Sequence, residues 1–234
     1  MSGCPVRQVR HVYRRNGGGP LLSYSPLGGV CRIGCGPQPP PPPPLPPHTI
    51  LINVGSNGIT TLRIYISDGE GTYVVDNGVP VGFIDELGAL NIDINVSPSS
   101  NVYINSTFFN VFELINYPIE SFSISSAMSL YNLKIDNTNI SGVFDVSKIT
   151  DLRQLELTNN FITGVTGLNL CPFAEDITIT NTNITQTAAD SIANQINDAG
   201  YSNGILDISS QKTGTINITG SIYNTLRGKN WTIS

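Results

Sequence analysis

Charge is scarce in this chain. Of its 234 residues only 12% are Asp, Glu, Lys or Arg, about half the usual proportion. Asn, Thr, Ser, Ile and Gly are abundant instead, so the surface must be kept in water by amides and hydroxyls. Histidine occurs twice, as His11 and His48. Residues 49–234 therefore hold no imidazole, and neither a Ser-His-Asp nor a Cys-His nucleophile system can be built within them. A phosphate-binding glycine loop with its lysine is missing. The acid pairs Asp85-Glu86 and Asp68/Glu70 could in principle serve glycoside hydrolysis, but adjacent carboxylates on loops are ordinarily solvated. The expectation is a protein that is not an enzyme and carries no cofactor. No run approaches the ~18 apolar residues of a membrane-spanning helix, and the opening residues MSGCPVRQVRHVYRRNGGG lack the apolar centre of a secretion signal.

Cysteine is also sparse: Cys4, Cys31, Cys35 and Cys171. Cys31 and Cys35 are spaced C-x3-C, but a zinc site needs four ligands and His11 is the one nearby addition. Free thiols and no metal are expected.

What is present is unevenly placed. Residues 1–48 contain five arginines (Arg7, Arg10, Arg14, Arg15, Arg32) and no acid, while residues 49–234 hold seven Lys/Arg and all 17 acids, 7 − 17 = −10. A basic arm (1–36) is thus joined to an acidic body. The arm suits an acidic protein surface better than nucleic acid, because no lysine cluster with interleaved aromatics accompanies its arginines. Between arm and body, residues 37–48 include the six prolines Pro39–Pro44 followed by Leu45-Pro46-Pro47. Polyproline favours an extended left-handed helix of about 3.1 Å per residue, so these nine residues form a stiff stalk of about 28 Å.

Residues 49–104 carry strand signals. Ile50–Val54 and Leu62–Ile66 are short apolar or alternating runs, and Leu90–Val96 alternates strictly. Asp68-Gly69 and Asn77-Gly78 predict hairpin turns. The result is a small β unit that either stands alone or caps a solenoid C-terminal to it.

From residue 105 the chain repeats. Leu130, Leu133, Ile135 and Ile140 return 22 residues later as Leu152, Leu155, Leu157 and Ile162, and then as Ala174, Ile177, Ile179 and Ile184. An earlier copy, Phe109, Phe112, Leu114 and Ile119, precedes the first by 21. Each copy predicts one short strand with its apolar side chains inward. A single coil cannot bury its own apolar face, so the copies must stack. Leu130, Ile140 and Ile162 would close the interior, while turn asparagines (Asn137, Asn159, Asn181, or Asn139, Asn160, Asn183) could satisfy backbone groups at the bends. Thr185 predicts the cap of a helix over about 186–198, with Ala188, Ile192, Ile196 and Ala199 on one face and Gly200 as its stop. Ile205–Ile208 predicts a strand, matched by setting Leu206 against Ile179. A second helix is expected near 221–228, with Ile222 and Leu226, before Trp231-Thr232-Ile233. The predicted outward residues are Glu113, Lys134, Asp136, Gln154, Glu156, Thr158, Thr178, Thr180 and Asp207, a candidate binding face.

The pattern resembles that of leucine-rich-repeat proteins, with the turn Asn two residues after the third apolar position instead of three. Residues 186–234 (strand, short helix ending in Gly, then Trp-Thr-Ile) resemble the closing cap of such proteins in bacteriophages and Bacteroidetes-type hosts. The resemblance implies an α/β solenoid over 105–234: a short parallel sheet with C-terminal helices, preceded by the β unit and the extended arm. It further implies a virion spike, head fibre or tail adhesin, assembled in the host cytoplasm. Its partners would be other capsid or vertex proteins through the arm, host-surface protein or glycan through the repeats, and further copies of itself. A bacterial leucine-rich interaction module unconnected with a virus is the alternative.

Overall fold

A computed structural model describes residues 49–56, 58–75, 82–216, 218 and 220–234. The arm arginines, Cys4, Cys31, Cys35, both histidines, the proline stalk and the Asn77-Gly78 turn lie outside them.

The described body is mostly β. Strands β1 (Ile50–Asn53), β2 (Thr61–Val75), β3 (Gly82–Asn95), β4 (Asn101–Ile115) and β5 (Ser121–Ile124) come first. Next are β6 (Ser129–Asp136), β7 (Ser141–Asp145), β8 (Gln154–Thr158), β9 (Phe161–Thr166) and β10 (Asp176–Thr178). Helix α1 (Gln186–Ala199), β11 (Ile205–Asp207), the hairpin β12 (Ser210–Gln211) and β13 (Gly214–Thr215), helix α2 (Gly220–Gly228) and β14 (Thr232–Ile233) complete the order. No helix among the described residues is long and apolar enough to cross a membrane.

The matched repeats form a parallel solenoid sheet, β4-β6-β8-β10-β11-β14. Phe112 lies beside Leu133, Leu133 beside Leu155, and Leu155 beside Ile177, so the 21- and 22-residue offsets are lateral neighbours in one sheet. All these residues and their partners Leu114, Ile135, Leu157 and Ile179 are buried, as period-2 alternation with one face covered requires. On the opposite side of the first coils runs a second parallel pair, β7-β9. Towards the C-terminal end, α1 takes the place of a strand there. Thr185 caps α1 by accepting from the Ala188 N–H, and Gly200 ends it with φ 81°. The buried face is Ala189, Ile192, Ala193 and Ile196, about a sixth of a turn from the predicted stripe, with which it shares Ile192 and Ile196; Ala188 and Ala199 are only half-buried. The strand match at β11 also differs: Leu206 sits beside Ile177, not Ile179. The longer connection through α1 absorbs the two extra residues.

The β unit is continuous with the repeats. β2 and β3 pair antiparallel along their length, and β2 pairs with β4. The other edge of β4 holds β1 at Asn101–Ile104 and β6 at Phe108–Ile115. β4 therefore crosses the 104/105 boundary. One hydrophobic cluster draws on both sides of it, from Ile50 to Trp231. The predicted Asp68-Gly69 turn is instead a bulge within β2. Asp68 takes φ 44° and the register with β3 slips between Ser67 and Gly69. A bulge re-aims a strand without reversing it, and a dipeptide that tolerates φ > 0 serves either purpose.

At the bends the asparagines divide the work. Asn116, Asn137, Asn159 and Asn181 all adopt φ between 51° and 63°, the left-handed region where Asn is tolerated. They are exposed and stack as a surface ladder: Asn137 Nδ2 donates to Asn116 Oδ1 at 2.9 Å, and Asn181 Nδ2 to Asn159 Oδ1. The inward amide is Asn160. It is fully buried, donates to the carbonyls of Ile135 and Thr158 at 2.8 Å, and accepts from the Thr138 N–H (3.0 Å) and hydroxyl (2.9 Å). Two coils on, Gln211 repeats this from the β12–β13 hairpin, donating to the carbonyls of Ile179 and Ile208 and accepting from the Thr182 N–H and hydroxyl. Asn139 is exposed and Asn183 half-buried. Among the described residues no buried side-chain nitrogen or oxygen lacks a partner.

Cys171 lies in the connection before β10, fully buried, its Sγ 3.2 Å from the Ile149 carbonyl. Burial, with a smaller contribution from the Asp145 charge, pushes the thiol up from 9.0 to about 12. The folded state thus favours the protonated form. The contribution is fully present below pH 9, and is lost as pH rises towards 12. With Cys4, Cys31 and Cys35 replaced by serine, the melting temperature should fall between about pH 8.5 and about pH 10.5. The fall should be smaller when Cys171→Ala is added; equal slopes in a thermal melt series would contradict it.

The C-terminal end closes on Trp231, which is buried and donates from Nε1 to the Tyr201 carbonyl at 3.1 Å. Its ring lies against Gly204, where a Cβ would collide with Cη2 and Cζ3. Only glycine allows β11 and the indole to approach this closely.

Candidate functional site

The exposed side of the solenoid sheet is built from residues alternating with the buried leucines and isoleucines. Lateral register lines them up in rows. One row runs Asn91, Tyr65, Glu113, Lys134, Glu156, Thr178, Asp207, crossing from β3 through β2 and β4 to β11. A second runs Val111, Asn132, Gln154, Asp176, Ile205. A third holds Ile115, Asp136 and Thr158.

These rows bring the predicted face together. Gln154 is exposed; Glu113, Lys134, Asp136, Glu156, Thr178, Thr180 and Asp207 are half-buried. Thr158 is buried, its hydroxyl donating to Asp136 Oδ1 at 2.6 Å, and Asn159 Nδ2 donates to the same oxygen at 2.7 Å. Lys134 Nζ lies 2.8 Å from Glu156 Oε1. That bond, together with the Glu113 and Asp136 charges, raises its pKa. Burial, then the Glu156 and Glu175 charges, raises the Asp176 carboxyl above its ordinary range. In these rows the carboxylates of Glu113, Asp136, Glu156, Asp176 and Asp207 face a single lysine, so the face is acidic.

Two clefts open on it. One, of about 160 Å³, lies over β4, β6, β8 and β10 and is lined by Glu113, Lys134, Gln154, Glu156, Asp176 and Thr178 among others. The larger, of about 380 Å³, lies where the β unit meets the solenoid, against Arg63, Tyr65, Asn91, Glu113 and Tyr117. Glu113 borders both. The repeat pattern points to no aromatic residue on this surface; Tyr65 and Tyr117 come from β2 and from the turn after β4. The alternation Arg63-Ile64-Tyr65 places Arg63 and Tyr65 on the polar side of their strand. Only the pairing of β2 with β4, which no local signal reveals, puts them beside Glu113.

Among the described residues no group of three or more His, Cys, Asp or Glu is arranged to hold a metal ion. Asp68, one of the predicted acid pair, accepts from Ser67 Oγ and Asn110 Nδ2.

Fold and site together define a short β-solenoid with a flanking antiparallel β unit and a polar, cleft-bearing strand face. No protein-family model, curated protein or solved structure matches the chain.

Proposed function

We propose that this is an adhesive structural protein of a bacteriophage particle, a leucine-rich-repeat body displayed on a proline stalk and held in the particle by its basic arm. The observation that carries the binding reading is the strand face. Seven residues from seven strands form one polar row across two adjoining clefts. Solenoids use such extended surfaces for binding. The leucine-rich-repeat reading is supported by the matched apolar positions and by the inward amide of Asn160, three residues after Leu157. The particle reading rests on the order of arm, stalk and body and on the C-terminal resemblance.

Two arms of one experiment test it. Tagged full chain, expressed during infection, should sediment with purified particles, whereas the chain lacking residues 1–36 should remain unbound while keeping its β circular dichroism. Fluorescent full chain should label host cells, and Gln154→Arg/Thr178→Arg should reduce labelling at least roughly tenfold without lowering the melting temperature. Failure of the full chain to sediment with particles would overturn the particle reading. Undiminished labelling by the double variant would overturn the face.

A further inference from the structure

We infer that the cleft beside Glu113 is a saccharide subsite, and that the two clefts together take a neutral oligosaccharide. This deepens the strand-face reading and rests on it. At about 380 Å³ the larger cleft falls in the range of small-ligand pockets. Its lining has the chemistry that a pyranose presents in complement. A sugar ring offers an apolar C–H face and a rim of hydroxyls that both donate and accept. Tyr65 and Tyr117 supply aromatic surface with a polar tip. Asn91 supplies an amide with both functions, and Glu113 a pure acceptor. Among the described residues none of these four side chains hydrogen-bonds to another residue. Among the described residues their polar groups thus spend no hydrogen bond on the protein, although the Glu113 charge acts on Lys134, and they border one opening.

Charge selects the kind of sugar. Among the described residues the one cation lining the larger cleft, Arg63, is paired with Asp93 through two bonds, Nε to Oδ1 at 2.6 Å and Nη2 to Oδ2 at 2.8 Å. Among the described residues the one cation of the smaller cleft, Lys134, is paired with Glu156 at 2.8 Å. A carboxylated or sulfated sugar would meet the charges of Glu113, Glu156 and Asp176, while each lining cation among the described residues already has its charge offset by a carboxylate. Because Glu113 borders both clefts, a ligand of more than one ring can continue from Tyr65 and Tyr117 towards Gln154 and Thr178, which offer further neutral hydrogen-bonding groups.

The test uses the full chain and saturation-transfer difference NMR with a set of trisaccharides: maltotriose, mannotriose, galactotriose and chitotriose as neutral probes, and sialyllactose as an acidic one. At least one neutral trisaccharide should bind and sialyllactose should not. Tyr65→Ala and Glu113→Gln should each weaken the neutral binding roughly tenfold or more, the effect of removing an anchor from a small interface, with unchanged melting temperature. Should Tyr65→Ala fail to fold, Tyr65→Phe and Asn91→Ala give the same readout. No binding by any neutral probe, or binding untouched by these variants, overturns the inference. Periodate, which cleaves sugar diols, separates this from the broader reading. If Gln154→Arg/Thr178→Arg abolishes cell labelling but periodate treatment of the cells does not reduce it, the face binds a non-saccharide partner and the saccharide subsite alone is lost.

Discussion

Replacing Asn160 with leucine is expected to cost about 4 kcal/mol of stability. Leucine has a similar volume, so the loss is not one of packing. It strands the N–H and hydroxyl of Thr138 and takes a donor from the carbonyls of Ile135 and Thr158, the latter keeping the Asn137 N–H. Each orphaned buried group costs about 1–3 kcal/mol, and the carbonyls can recover part of theirs. For a body of this size the melting temperature should drop by roughly 8–16 °C. Thr138→Val alone, which removes only the hydroxyl donor, should cost about 1 kcal/mol. The double variant should cost less than the sum, because valine no longer has a hydroxyl to leave unpaired. A denaturation series showing less than about 1 kcal/mol for Asn160→Leu would mean the amide is dispensable.

Phe112→Ala should cost about 3–5 kcal/mol, and the manner of unfolding is as informative as the magnitude. Phe112 is fully buried in β4. Its ring lies 6.2 Å from Phe109 and 5.8 Å from Phe122, and Phe122 stacks on Phe144 at 5.8 Å. These rings join β4, β5 and β7, so the cavity would be felt on both sides of the strand that the β unit and the solenoid share. The chain has one tryptophan, Trp231, at the far C-terminal end. Its emission should shift at the same lowered temperature at which the β circular dichroism is lost. An early transition seen by dichroism, with Trp231 unmoved until the wild-type temperature, would show that β4 does not couple the two parts.

Much of the solenoid is legible in the sequence because its signal is arithmetic. Leucines and isoleucines returning at 21 and 22 residues become lateral neighbours with no gap, and Thr185 and Gly200 bracket α1 as their chemistry demands. Expectation and structure part where one residue pattern satisfies two geometries. Asp68-Gly69 supports a left-handed residue in a turn or in a bulge, and the 15-residue length of β2 decides between them only through its partners. The Ile205–Ile208 strand could be slid by two residues without changing which side chains face inward, and only hydrogen-bonded register fixes Leu206 beside Ile177. The polar strand face is visible from alternation. The tyrosines that complete its larger cleft are not, because Tyr65 reaches Glu113 through an antiparallel pairing of strands far apart in the chain.

The amide network restricts where the body could be lengthened, as the apolar core does not. Leucine and isoleucine positions recur in every coil, so the interior alone would accept any number of them. Thr138 is served by Asn160 and Thr182 by Gln211, one giver and one receiver alternating along the axis, with the threonines 182 − 138 = 44 residues apart. Insertion of a coil between Thr138 and Asn160, or between Thr182 and Gln211, would part a receiver from its giver, whereas insertion between the two pairs would leave the bonds within each pair in place.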